Sequence, residues 1–384
     1  MIQHKIFNTT QELSRDWDTL VNHDLFLQTN YLRSVEEASP KNIHLFFIGF
    51  YKDQKLVGVA VVQLVKLDLN DMFRQHQSGS LKEVLRHSIS SLIKGCALVV
   101  GNIMHTGQHG IYFDEKELNY PQFLTATQKA LVELQPLIKK QYQRRIQIIA
   151  FKDYFSHDTF HGNTEYFLTH KFHRLNLQPN MLLEIPKNWV SIDDYTAVLT
   201  KKYRDRYKRA RKKRGALKPV ELDLETIKEN SATLHQLYLN VSDNAKFNTF
   251  ILPENHFYSL KKHLKGQFRL FGYYDQGKLV GFYSLLLNQT DLETYFLGYD
   301  EAHQYPNQLY LNMLYDMLDF GIQNSFKTVV YARTAMAIKS SVGAKAEDMW
   351  VFMKHTNPVL NMIFKIVFSL VNPKQEWRER HPFK

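Results

Sequence analysis

The sequence predicts an α/β chain in which one folding unit occurs twice, over residues 1–185 and 186–384. Two observations carry this expectation. The segment 48–58 (IGFYKDQKLVG) lies without gaps on 271–281 (FGYYDQGKLVG), and Gly49, Tyr51, Lys55, Leu56, Val57 and Gly58 are matched by identical residues. In both copies an aromatic-rich run, a polar turn and a second apolar run (59–65, 282–287) read as a β-hairpin. Chance resemblance is the alternative, because aromatic hairpins of this kind are common. The second observation, a shared order of strands and helices after each hairpin, argues against it.

After the second hairpin come a strand at 291–299, a helix at 308–324 and a short buried strand at 327–332. In the helix Tyr310, Met313, Leu314, Met317, Leu318 and Gly321 recur at three and four spacing and give one apolar face. After the first hairpin, 97–100 reads as a strand, 122–143 as a helix with Pro136 as a kink, and 145–151 as a strand. The connecting region reads as a helix over about 191–214. Ser191 and Asp194 suit its start, Tyr195, Leu199, Tyr203 and Tyr207 form a stripe that packs on a core, and Gly215 with Pro219 ends it. Near the C-terminus, 359–371 is apolar almost all round apart from Lys365; too short to span a bilayer, it is expected to be a buried helix, with a membrane-surface helix as the alternative.

Of 384 residues, 44% are apolar and 13% aromatic, enough for two cores. Cys96 is the single cysteine, so an internal disulfide or a multi-cysteine zinc site lacks its raw material. The first twenty residues carry no apolar export segment and no run of eighteen uncharged apolar residues occurs, which points to the cytoplasm. The net charge of +11 is local. Residues 201–214 (KKYRDRYKRARKKR) hold ten cations against Asp205, which leaves only +2 for the remainder. A solvated face is the plain reading of such a run, but its density favours an anionic partner: coenzyme A, tRNA or anionic lipid. His105 with His109 and His157 with His161 share the HxxxH spacing of metal sites. Neither has the accompanying glutamate and both segments read as loops, so no metal is expected.

Several stretches together resemble a known family. The run 331–345 (YARTAMAIKSSVGAK) with 350–355 (WVFMKH), the run 180–184 with 189–206 (NMLLE and WVSIDDYTAVLTKKYRDR) and the loop 101–110 (GNIMHTGQHG) are similar to double-GNAT proteins of peptidoglycan biosynthesis or recognition, relatives of the Fem-type aminoacyltransferases. The resemblance implies two tandem GNAT-like domains, each a mixed, mostly antiparallel sheet flanked by helices. It implies transfer of an acyl group from acetyl-CoA, another acyl-CoA or aminoacyl-tRNA to an amine of a small molecule or cell-wall precursor, in the cytoplasm or at the inner face of the membrane. The acceptor is expected in a cleft between the halves. A binding protein that kept the fold and lost the chemistry is the remaining alternative. One departure concerns the donor: GNAT enzymes hold the CoA pyrophosphate in a glycine-containing loop before a helix, and here 300–308 (DEAHQYPNQ) has no glycine. Nor is the long helical hairpin of many Fem-type proteins present.

Acyl transfer to an amine needs a base, oxyanion donors and an acid for the leaving group. Strand alternation puts Asp291, Glu293, Tyr295, Leu297 and Tyr299 on one face, which makes Glu293 the candidate base and Tyr295 or Tyr299 the candidate acid; packing tyrosines and a hydrogen-bonded carboxylate are the plain alternative. Arg333, at a strand end before a helix starting at Thr334, suits a phosphate or carboxylate, with Lys339 one turn on. Asn307, Gln308, Lys202, Arg204 and Arg206 complete the candidate binding set.

Overall fold

The computed structural model describes residues 2–67, 95–155, 164–244, 248–371 and 376–384, leaving aside the side chains of 367–371. The first unit holds β1 (Gln3–Phe7), β2 (Ile43–Lys52), β3 (Lys55–Leu67), β4 (Gly95–Val100), β5 (Ile111–Phe113), β6 (Ile146–Phe155) and β7 (His173–Asn176). The second holds β8 (Asn180–Glu184), β9 (Pro219–Glu221), β10 (Phe268–Asp275), β11 (Lys278–Asn288), β12 (Asp291–Tyr299), β13 (Thr328–Val330) and β14 (Lys345–Glu347). The chain then supplies β15 (Met349–His355) to the first sheet.

The strand orders are β1-β2-β3-β4-β6-β15-β7, with β5 beside β3, and β9-β10-β11-β12-β13-β8-β14. They correspond place for place. Among the described residues one pair in each sheet is parallel, β4 with β6 and β12 with β13, and all others are antiparallel. The sixth place in each sheet is filled from the other repeat, by β15 in the first and β8 in the second. The compact units are therefore not consecutive halves: a cut after residue 185 would sever β8 from the sheet it completes.

The hairpin repeat holds in detail. Asp53 and Gln54 turn β2 into β3, Gln276 and Gly277 turn β10 into β11, and all four have φ between 47° and 80°. Two successive left-handed residues make the turn whose twist matches the flanking strands. A register irregularity occurs at the same place in both, between Phe50 and Tyr51 and between Tyr273 and Tyr274. Gly49 and Gly272 recur because an equivalent tyrosine and leucine crowd the place of a side chain: a Cβ at Gly49 would come within 2.9 Å of Tyr51 and 3.1 Å of Leu56, and one at Gly272 within 2.8 Å of Leu279 and 3.3 Å of Tyr274.

Helix Tyr120–Tyr142 covers the first sheet through Phe123, Leu124 and Leu131, packed with Phe50, Leu98 and Phe151. Asn119 and Gln122 cap its start reciprocally, and Pro136 lies within it. Helix Leu309–Gln323 covers one face of the second sheet, setting Met313, Leu314 and Met317 on Tyr283, Leu285 and Leu292.

Three expectations are corrected. The helix expected over 191–214 is two, Ile192–Val198 and Lys201–Arg214, because the chain breaks at Leu199 and Thr200 to bond the C-terminal segment: Thr200 N–H donates to Pro382 O (2.8 Å) and Lys384 N–H to Val198 O (3.1 Å). The common face expected along β12 is lost to a bulge. Opposite Ser284 the register slips, so that Glu293 falls with Gly298, whereas Leu297 and Tyr299 fall with Leu292 and Thr294 on the other face. Helix Pro358–Val371 is not enclosed: Val359 and Met362 stand 71% and 80% exposed. No helix among the described residues is long and apolar enough to cross a membrane.

Gln54→Gly should stabilise the protein by about 0.5–1 kcal/mol, since glycine relieves a left-handed side-chain residue at some cost in chain entropy. Gly277→Ala should do the reverse. Urea unfolding of the two variants against the parent measures both.

Candidate functional site

The parallel partners β12 and β13 stay together only from the Asp291–Thr328 pair to the Glu293–Val330 pair. Beyond them β12 runs on to Tyr299, bent by its bulge, where the Ser284 hydroxyl donates to Phe296 O at 2.6 Å. The other strand turns away through Ala332, Thr334 and Ala335, all left-handed with φ between 47° and 67°. An opening at the C-terminal ends of two parallel strands is where α/β sheets gather ligands. Its far wall is braced from beneath by Lys339, whose ammonium donates to Ala332 O (3.3 Å) and to Arg333 O. Lys339 is 5% exposed and has no carboxylate partner among the described residues; burial brings its pKa down to about 7.

In this unit lies a pocket of about 590 Å³, walled by Lys202, Tyr203, Arg206 and Arg209 of the basic helix, by Gln308, by Ala337 and Ile338, and by Arg380. Among the described residues none of its four cations is paired with a carboxylate. Gln308, left-handed at φ 48°, joins helix Glu301–Asn307 to helix Leu309–Gln323, and its buried Oε1 has no hydrogen-bond partner among the described residues. The unit thus holds a gap between its two parallel strands and a pocket with an unneutralised cationic wall.

Three other cations of the basic helix hold the fold. Arg204 donates to the carbonyls of Thr196, Ala197 and Leu199, closing the preceding helix. Arg211 and Arg214 donate to the Asp316 carboxylate, which also accepts from the Tyr273 hydroxyl. Asn312 Nδ2 donates to Ala210 O (2.9 Å) and Asn307 O (3.0 Å). Burial opposes the Arg211 charge, and Asp316 with Tyr207 more than offsets that, so its pKa lies above the ordinary value. Spacing does the sorting: Lys202, Arg206 and Arg209 share one stripe, while Tyr207, Arg211 and Arg214 share another.

Of the residues singled out from sequence, Lys202, Arg206 and Gln308 meet at the pocket. Arg204 does not, and Asn307 Nδ2 donates to Lys213 O (3.1 Å). Arg333 and Thr334 sit in the left-handed segment. Glu293 and Tyr295 belong to the face covered by helices Ser231–Asp243 and His256–Leu264, and Tyr299 lies on the opposite face with Tyr310 (ring centroids 6.4 Å). Burial, with Tyr305 and Glu301, raises the Tyr299 pKa. Sequence reasoning missed His256, fully buried with Nε2 3.0 Å from the Tyr295 hydroxyl, and also missed Arg209 and Arg380. No motif marks His256. Arg380 reaches the pocket through the packing of Phe383 on Trp189 and Tyr195, which no local pattern encodes.

The equivalent end of the first sheet is built differently. β4 and β6 stay paired from Cys96 to Val100, and the loop 101–110 is bonded onto β6: Lys152 Nζ donates to His105 O and Gly107 O (3.0 Å each), and Asp153 accepts from Gly107 N (3.1 Å). His109 bonds Asp24 (2.8 Å), and Phe26 packs on His105 and His109 with centroids 4.3 and 4.6 Å apart. No group of three or more His, Cys, Asp or Glu suited to a metal occurs among the described residues; His157 and His161 lie outside them.

This arrangement, a split parallel pair flanked by helices with a cationic pocket in the same unit, is that of a GNAT-like domain. Residues 201–340 match the family model described as an acetyltransferase (GNAT) domain, and the chain as a whole has the fold of tandem GNAT proteins. Solved structures of similar fold are FemX (TM-score 0.57, 13% identity, 94% of this chain and 99% of that one), the tandem GNAT protein from the clavulanic acid biosynthesis pathway (0.52, 10%, 93% and 99%) and L-PGS from Bacillus licheniformis (0.50, 9%, 89% and 96%). At such identities they speak for fold alone. No curated protein matches the chain.

Asp316→Ala strands two arginines and the Tyr273 hydroxyl and should cost about 3–5 kcal/mol in urea unfolding. For Lys339 the folded pKa lies below the unfolded value near 10.5, so the unfolded state binds more protons between about pH 7 and 10.5 and stability rises with pH there. The parent should gain about 1.4 kcal/mol per pH unit in that window relative to Lys339→Met, read from urea unfolding at pH 7.5 and 9.

Proposed function

We propose that the second unit transfers an acyl group from acyl-CoA, acetyl-CoA being the simplest donor, to an amine of a small molecule or cell-wall precursor. The observation that carries this reading is the set of four cations, Lys202, Arg206, Arg209 and Arg380, that reach one pocket without carboxylate partners. A pocket so charged favours a polyphosphorylated ligand, and guanidinium forks match phosphate oxygens. The glycine-free segment 300–308 winds into helix Glu301–Asn307, with Asp300 capping Ala302 N, so side chains take over the phosphate contacts that backbone N–H groups make in a glycine loop. The thioester then lies in the gap beyond Glu293.

The amine nitrogen attacks the thioester carbonyl carbon after Glu293 takes the ammonium proton. As the tetrahedral intermediate collapses the C–S bond breaks and Tyr295 protonates the departing sulfur. The second amine proton returns to Tyr295 through His256, which its hydroxyl already bonds. A cytoplasmic site of action goes with an acyl-CoA donor.

One observation favours a second donor. Lys201, Lys208, Lys212 and Lys213 are exposed on the same helix and extend its charge past the pocket, which suits aminoacyl-tRNA.

Acetyl-CoA should raise the melting temperature, and Arg206→Ala and Arg380→Ala should each weaken its binding about tenfold, about 1.4 kcal/mol. Glu293→Gln should bind the donor normally and lose about 10²–10⁴ in kcat. Indifference to acetyl-CoA together with bound nucleic acid that high salt strips would transfer the reading to tRNA. Unchanged turnover in all three variants would sink the site.

A further inference from the structure

Helix Pro358–Val371 in the first unit carries an apolar stripe turned outward. Val359, Met362, Ile363 and Ile366, at spacings of three and four, are 71%, 80%, 42% and 64% exposed, and Phe364 and Asn361 are buried beneath. Asn361 fixes this rotation. Its Oδ1 accepts from His355 N (2.8 Å), its Nδ2 donates to Lys171 O (2.9 Å), and its backbone oxygen accepts from His173 Nε2 (2.7 Å). Turning the stripe inward would break all three bonds, so its exposure is built into the seat of the helix.

Charge identifies what the stripe meets. The segments that form the helix and its seat, 170–177 and 349–371, contain Lys171, Arg174, Lys354 and Lys365 and neither aspartate nor glutamate. The helix packs on the face of His173 and His355, whereas Arg174, over the Trp350 ring (3.7 Å), and Lys354, over Phe172 (4.3 Å), alternate to the other face, so Lys171 and Lys365 are the cations beside the stripe. An apolar ridge on a carboxylate-free cationic seat complements an anionic phospholipid surface. With 14 residues, about 21 Å at 1.5 Å per residue, the helix is shorter than the roughly 30 Å hydrocarbon core and lies on the bilayer instead of crossing it.

We propose that this helix docks the protein on anionic membranes by inserting Val359, Met362, Ile363 and Ile366 among the acyl chains while Lys171 and Lys365 engage headgroups. The docking surface is independent of the acyl-donor pocket.

The test is co-sedimentation of the full chain with phosphatidylcholine vesicles containing one third phosphatidylglycerol, against phosphatidylcholine alone, at low and high salt. The parent should pellet with the anionic vesicles, at least tenfold less with neutral ones, and less at high salt. Met362→Glu with Ile366→Glu should abolish pelleting while leaving the acetyl-CoA melting shift intact, and Lys171→Gln with Lys365→Gln should weaken it severalfold. Arg206→Ala with Arg209→Ala should leave it unchanged. The proposal fails if the parent does not pellet, or if only the Arg206 and Arg209 changes release it. It also fails if the Glu variant instead dissolves a concentration-dependent dimer, which assigns the stripe to a second copy, or melts far below the parent, which assigns it to cover by the chain itself.

Discussion

A single carboxylate, Asp316, sets where the basic helix lies. It accepts from Arg211, Arg214 and the Tyr273 hydroxyl at a nearly enclosed position, so two charges that repel each other are drawn onto helix Leu309–Gln323. Such a buried cluster adds little net stability compared with an apolar seam, because desolvation consumes most of the Coulomb attraction. Its effect is geometric. With Arg211 and Arg214 fixed on one stripe, helical spacing leaves Lys202, Arg206 and Arg209 on the neighbouring stripe, which walls the pocket. The same charge run thus serves as a structural clamp and as the cationic wall of a pocket.

Duplication supplied two copies of one sheet, and local differences gave them different ends. In the second sheet, three left-handed residues after Val330 and the bulge in β12 pull a parallel pair apart. In the first, Lys152 and Asp153 tie down the loop after β4, so the corresponding place is occupied by protein. The exchange of β8 and β15 also ties the repeats together in sequence: neither sheet has its sixth strand until residues from the other repeat are in place. The match of the GNAT family model to 201–340 falls on the copy whose strands part.

Much of this was legible in the sequence. The hairpin offset reported the duplication because identical glycines answer equivalent neighbours, Tyr51 and Leu56 at Gly49 and Tyr274 and Leu279 at Gly272. Periodicity found β12 and the helix after it because each buries one face. The faces of β12 were misassigned because a bulge is one extra residue, invisible to a period-two count. The basic helix was read as continuous because nothing in 191–214 announces that Leu199 bridges Phe383. Lys202, Arg206 and Gln308 were found from local charge and chain position, whereas His256 and Arg380 enter through tertiary packing and carry no local sign.

Holding an anion with side chains instead of a glycine loop changes how the grip responds to its surroundings. Backbone N–H groups at a helix start bear fixed partial charges whatever the salt. Lys202 and Arg209 are exposed, so their attraction is screened within a Debye length of about 8–10 Å; Arg206 and Arg380 are half-buried and keep more of theirs. On the proposed reading the exposed pair therefore acts mainly on encounter, steering a polyanion toward the pocket, and the half-buried pair acts on retention. Because Arg380 hangs from Phe383, and Phe383 packs on Trp189 and Tyr195, retention is coupled to the seating of residues 376–384. On the proposed reading, loosening that segment would release the donor without touching Glu293 or Tyr295.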